Sequence, residues 1–140
     1  MYTRVLKGNL EYERLVFPAK KKLKQINIDI LARMHLWSIG EDYCHGTGHG
    51  VGHFLNVHEG PYGKELQEGH TWTDEPGYYK DGEFGIRIEN LLVLQKAEGI
   101  EGHLRWVNVT VHPYCRELID VNLLTEVEIN HINEYHKKCR

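Results

Sequence analysis

Residues 45 to 53 read His45-Gly46-Thr47-Gly48-His49-Gly50-Val51-Gly52-His53, and Asn56-Val57-His58-Glu59-Gly60-Pro61 follows two residues later. Glycine at every second or third position argues against a helix here and for a turn or an irregular strand. It also admits tight and positive-φ backbone, so imidazoles close in sequence can converge in space. Five of the ten histidines lie between His45 and His70, and imidazole is the side chain best suited to bind a metal or carry a proton near neutral pH. The segment predicts a site, and the rest of the chain must supply its frame.

Upstream the pattern is helical. Tyr2 to Arg14 carries Val5, Leu6 and Leu10 at helical spacing, weakened by Gly8. Phe17-Pro18 ends that element, because the residue before proline is pushed out of the α region. A second helix is predicted from about Gln25 to Ser38, with Ile26, Ile30, Leu31, Met34 and Trp37 on its apolar face and Gly40 as its terminating residue.

Downstream the pattern turns to strands. His70 to Thr73 reads as a short strand, Pro76-Gly77 as a turn, and Tyr78-Tyr79 as an extended pair before the hairpin-like Lys80-Asp81-Gly82-Glu83. Phe84 to Leu94 reads as one strand with Ile86, Ile88, Asn90 and Leu92 on one face and Arg87, Glu89, Leu91 and Val93 on the other. Leu104 to Val111 gives another strand. Thr125 with Glu128 forms a capping box opening a last helix, whose stripe is Ile129, Ile132 and Tyr135. Helices flanking mainly antiparallel strands make an α+β domain.

Composition narrows the function. A net charge of -3, with 41% hydrophobic and 26% charged residues, describes a soluble globular chain and points to neither nucleic acid nor membrane as a partner. Cys44, Cys115 and Cys139 are odd in number and follow no CxxC pattern, which predicts free thiols in a reducing compartment. Arg4, Lys7, Glu11, Glu13 and Arg14 interrupt the first thirty residues, so no signal peptide is expected and the predicted location is cytoplasmic.

Two carboxylates complete the candidate site: Glu75 in Thr73-Asp74-Glu75-Pro76-Gly77 and Glu89 in Gly85-Ile86-Arg87-Ile88-Glu89-Asn90. A glutamate within an apolar run is costly to bury unless a cation compensates it. With His49 these make a borderline-to-hard ligand set suited to manganese, cobalt, zinc or iron. His45 and His58 would then face the substrate. The competing reading makes His49 a structural turn histidine and Glu75 an exposed turn residue, and spacing does not separate the two.

The strings HGTGHGVG, FLNVHEGP, TDEPGYY and FGIRIEN, in that order, closely resemble the catalytic domain of the cytosolic Xaa-Pro aminopeptidases (aminopeptidase P), in the metallopeptidase family that includes prolidase and methionine aminopeptidase. The resemblance runs over essentially the whole chain. It implies a pita-bread fold around a dinuclear, usually manganese, site that removes an N-terminal residue preceding proline. It further implies that His49 and Glu75 bind one metal and Glu89 bridges two. His45 and His58 would be catalytic histidines, and Arg87 would stand beside the metal and support a proton relay. Peptides with proline second would be the substrates, and a homodimer the assembly.

The sequence also departs from that family. Its site uses two further aspartates from an earlier strand pair, and no such element precedes the histidine motif. The loop between Gly63 and Gly69 is shorter than in relatives. Residues 1–140 are thus expected to be the C-terminal portion of such a catalytic domain without its N-terminal half. One metal then keeps three candidate ligands and the second only Glu89, so at most one manganese, or a zinc or cobalt in its place, would be well held. An open sheet face and edge are expected as well. Two other readings remain: a non-catalytic pita-bread interaction module, and a half-domain that needs a complementary chain.

Overall fold

The computed structural model describes residues 1–140, and its organising contact is the crossing of two helices. Helix α1 spans Tyr2–Glu13 and α2 spans Gln25–Trp37, with the short strand β1, Val16–Pro18, between them. At the crossing Gly8 faces Ala32, and a Cβ on residue 8 would lie 2.1 Å from the Ala32 carbonyl oxygen. Gly8 weakens the helix in isolation, yet it is what lets the two backbones approach.

That close crossing also decides which face of α2 is buried, against the expectation. Ile28, Ala32 and Leu36 are buried, whereas Ile26 is 71% exposed and Ile30, Met34 and Trp37 are about half exposed, at 51%, 45% and 46%. Of the expected face only Leu31 is half-buried, packed against the core. The helix is apolar on most sides, so periodicity does not select a face. The need for a small residue opposite Gly8 does.

Strands β2 (Thr71–Asp74), β5 (Asn90–Lys96) and β6 (His103–Asn108) join β1 in an antiparallel sheet of order β1-β6-β5-β2. Strands β3 (Gly77–Lys80) and β4 (Phe84–Arg87) form a separate antiparallel pair with Tyr79 opposite Gly85. The single strand expected over Phe84 to Leu94 is therefore two, parting at Ile88-Glu89 where the chain leaves one sheet for the other. Alternation survives the break: Ile88, Asn90 and Leu92 are buried while Arg87 and Glu89 are exposed. This is why the pattern reads as continuous.

Helix α3, Glu126–Lys138, closes the chain with the expected capping box between Thr125 and Glu128. Helix α1 serves both hydrophobic clusters: Val5, Leu6 and Leu10 pack with Ile132 and Tyr135 of α3, and Tyr12 packs with Trp72, Leu92 and Trp106 of the sheet. No helix is long and apolar enough to cross a membrane.

Candidate metal centre

The histidine segment lies along the outer edge of β2. The Thr73 N–H donates to the His49 carbonyl at 2.9 Å and the Glu75 N–H to the Thr47 carbonyl at 2.7 Å. Gly48 is required for this pairing, since a Cβ there would lie 1.8 Å from the Thr73 carbonyl oxygen. The glycines therefore serve backbone approach more than positive φ; none of the four between 46 and 52 has a left-handed φ.

Helix α2 holds the segment from the other side. Arg33 donates from Nε to Asp29 at 2.6 Å, from one terminal nitrogen to the Tyr43 carbonyl at 2.7 Å, and from the other to the His45 carbonyl at 2.8 Å. Its guanidinium lies 4.0 Å from the centre of the Tyr43 ring. The Thr47 hydroxyl bonds to Asp29 and lies 2.5 Å from the Tyr43 hydroxyl. Neither Arg33 nor Asp29 belongs to a recognisable motif.

This frame brings His49 and Glu75 together. Both are buried, at 9% and 7% exposure, and His49 Nε2 lies 3.1 Å from Glu75 Oε1. His49 Nδ1 lies 2.8 Å from the Gly50 carbonyl, an acceptor, so Nδ1 carries a proton and Nε2 is turned toward Glu75. Glu75 Oε1 already accepts from the Thr73 hydroxyl at 2.8 Å. An imidazole nitrogen and a carboxylate oxygen thus face each other in a buried place, where a proton on Nε2 or a shared cation satisfies both. By donor chemistry and orientation the pair fits a divalent metal.

Glu89 stands apart. Its carboxylate is exposed, not buried in the apolar run as its flanking residues suggest. The His49, Glu75 and Glu89 ligand atoms do not form a group within 4.8 Å of one another; Glu11, His35 and Glu128 do.

The remaining candidates lie around the pair. The exposed ring of His58 is 4.2 Å from the His49 ring, centre to centre. A terminal nitrogen of Arg87 lies 3.6 Å from Glu75 Oε2, and its Nε donates to the Tyr79 hydroxyl at 2.8 Å. That hydroxyl is 2.7 Å from His45 Nε2. Tyr79 links Arg87 to His45, and sequence reasoning missed it. The signal lay in the Gly77-Tyr78-Tyr79 and Phe84-Gly85 hairpin, where glycines opposite and two residues before Tyr79 leave room for its ring.

Behind Glu75, Asp74 is fully buried and neither carboxylate oxygen has a partner. Burial, reinforced by the charges of Glu13 and Glu75, pushes its pKa well above the ordinary carboxylate value. Burial thereby favours the neutral carboxyl of Asp74 beside Glu75.

Residues 1–96 match metallopeptidase family M24, and residues 102–140 match the C-terminal region of that peptidase family. Aminopeptidase P1 of Lotus japonicus is 49% identical over 151 residues, covering 99% of this chain and 23% of its own. Xaa-Pro aminopeptidase 1 of Dictyostelium discoideum is 48% identical over 149 residues, covering 98% of this chain and 23% of its own. Among solved structures, X-prolyl aminopeptidase of Caenorhabditis elegans, described as a cytosolic enzyme with a di-nuclear active site, superposes with a TM-score of 0.92 at 40% identity. That match covers 99% of this chain and 24% of the other. The chain thus spans about a quarter of the length of these relatives.

Proposed function

The chain belongs to metallopeptidase family M24, and from that premise we propose that it carries the His49–Glu75 part of a metal-dependent Xaa-Pro aminopeptidase centre. Residues 1–140 are read as the C-terminal portion of the catalytic domain. The observation that carries the proposal is the buried 3.1 Å approach of His49 Nε2 to Glu75 Oε1, each oriented by its own hydrogen bond.

His49 and Glu75 would hold manganese, with zinc or cobalt as alternatives, and Glu89 would join as a third ligand by turning its exposed carboxylate inward. The bound ion would supply Lewis acidity toward the scissile carbonyl. His58, exposed beside His49, is placed to donate a hydrogen bond to substrate. His45, engaged by Tyr79 and the Gly46 carbonyl, is held in one orientation for the same task. Arg87 connects the Glu75 carboxylate to Tyr79 and gives a route for proton movement away from the centre. Substrates are peptides with proline second, the location is cytoplasmic, and the assembly is a homodimer.

Calorimetric titration with Mn2+ tests the reading. Binding that is lost in His49→Ala and in Glu75→Gln supports it, and release of the N-terminal residue from an Xaa-Pro peptide above the level of His49→Ala extends it to turnover. Absence of Mn2+ binding would sink it. That outcome favours the pita-bread interaction module, the reading to which the separation of Glu89 from the pair lends weight. Turnover only after a complementary chain is added would identify the half-domain.

A further inference from the structure

The three helices meet at a cluster that the chemistry above does not use. Glu11 on α1, His35 on α2 and Glu128 on α3 each bring one ligand atom inward, and the three atoms lie within 4.8 Å of one another. One imidazole nitrogen and two carboxylates suit a zinc-class divalent cation.

A second observation points to a ligand. His35 Nε2 is buried and has no hydrogen-bond partner, a situation that is unfavourable until a ligand satisfies the nitrogen. Glu128 is 1% exposed and fixed in place, its Oε2 accepting from the Thr125 N–H at 2.6 Å and the Thr125 hydroxyl at 2.9 Å. Glu11 has only a 3.7 Å approach to Arg14 and is free to turn.

Lys7 is the group in the way. Its ammonium lies 2.7 Å from both Glu128 oxygens. We propose that Glu11, His35 and Glu128 form a structural site for a zinc-class cation that joins α1, α2 and α3, and that Lys7 is the counter-ion this cation displaces. Lys7 has a flexible stem and can carry its charge out to solvent. Two carboxylates and one divalent cation then balance. The site is separate from the His49–Glu75 pair and does not depend on the aminopeptidase reading.

The test titrates Zn2+ calorimetrically into the full chain with its thiols alkylated and with His49→Ala and Glu75→Gln in place, which removes the other candidate site. One equivalent is expected. Adding His35→Gln should weaken it by at least about tenfold. Adding Lys7→Gln should tighten it on the order of tenfold, because the competing charge is gone while the side chain can still bond to Glu128. Thermal melting followed by circular dichroism confirms folding, and at one fixed concentration Zn2+ should raise the midpoint clearly less with His35→Gln than without it. Binding that persists unchanged in His35→Gln, no binding in the starting variant, or no tightening with Lys7→Gln overturns the proposal.

Discussion

The hydroxyl of Tyr79 lies 2.7 Å from Nε2 of His45, and the direction of that hydrogen bond follows from its neighbours. Arg87 Nε can only donate, so the Tyr79 oxygen accepts from it and the phenol proton is left for His45. His45 Nδ1, 2.8 Å from the Gly46 carbonyl, carries a proton, so in the neutral ring Nε2 is the acceptor and the phenol donates to it. Tyr79→Phe removes the donor to Nε2. The expected result is a mixed tautomer population in the nitrogen-15 spectrum of His45, a fall in Xaa-Pro turnover of about tenfold or more, and unchanged Mn2+ affinity. His45 ring shifts identical to those of the parent would show that the phenol does not set the tautomer. Stability should fall by no more than about 2 kcal/mol, since the 42%-exposed side chain loses its bonds with Arg87 and His45 but keeps its ring packing.

How far this arrangement can be read from the chain differs from residue to residue. The capping box at Thr125 and Glu128 is local, four residues long, and appears as expected. The α+β pita-bread class follows from four ordered motifs and agrees with the family match and the superposed peptidase. The break between β4 and β5 was not legible, because inside-outside alternation continues through a change of sheet. The buried face of α2 was not legible either, since it depends on Gly8 in another helix. Arg33 shows the same limit at the site: its partners are carbonyls 10 and 12 residues away, and backbone acceptors leave no trace in residue type.

Gly8→Ala separates helix propensity from packing. Alanine is the better helix former by about 1 kcal/mol, so an isolated α1 should gain helicity. In the folded chain the new methyl would sit 2.1 Å from the Ala32 oxygen, and the helices must move apart. The prediction is net destabilisation of about 1–3 kcal/mol by urea unfolding. A stabilised protein would mean the crossing is looser than described.

Glu128 should govern the acid limb of stability. Burial alone would raise its pKa, but hydrogen bonds from Lys7 and Thr125 outweigh this and hold it below the ordinary glutamate value. A carboxylate whose folded pKa is depressed contributes stability above its unfolded pKa, near 4.3, and loses it as pH falls through the folded value. Glu128→Gln should flatten that part of the profile. At neutral pH it should cost about 1.5–3 kcal/mol, because the charge-assisted bonds that the Glu128 carboxylate accepts from Lys7 and Thr125 are lost or weakened. Thermal midpoints measured from pH 3 to pH 7 check both, and a variant as steep as the parent over that range would refute the assignment.

Arg33→Lys should loosen the histidine segment while keeping the charge. The guanidinium reaches Asp29, Asp42 and two carbonyls at once through a planar fork. An ammonium is a compact point donor and does not reproduce that geometry. The carbonyls of Tyr43 and His45 should lose their donors, which costs on the order of 1–3 kcal/mol. The consequence should pass along the edge of β2, because the amides of Thr73 and Glu75 are bonded to His49 and Thr47 in the same segment. Those two amides should exchange faster with solvent deuterium than in the parent, and Mn2+ should bind more weakly as His49 loses its fixed distance from Glu75. The amides of β6, paired with β5 and β1 away from the segment, should be unaffected apart from global opening. If Thr73 and Glu75 exchange only as fast as β6 does, Arg33 supports the fold as a whole and does not specifically position the site.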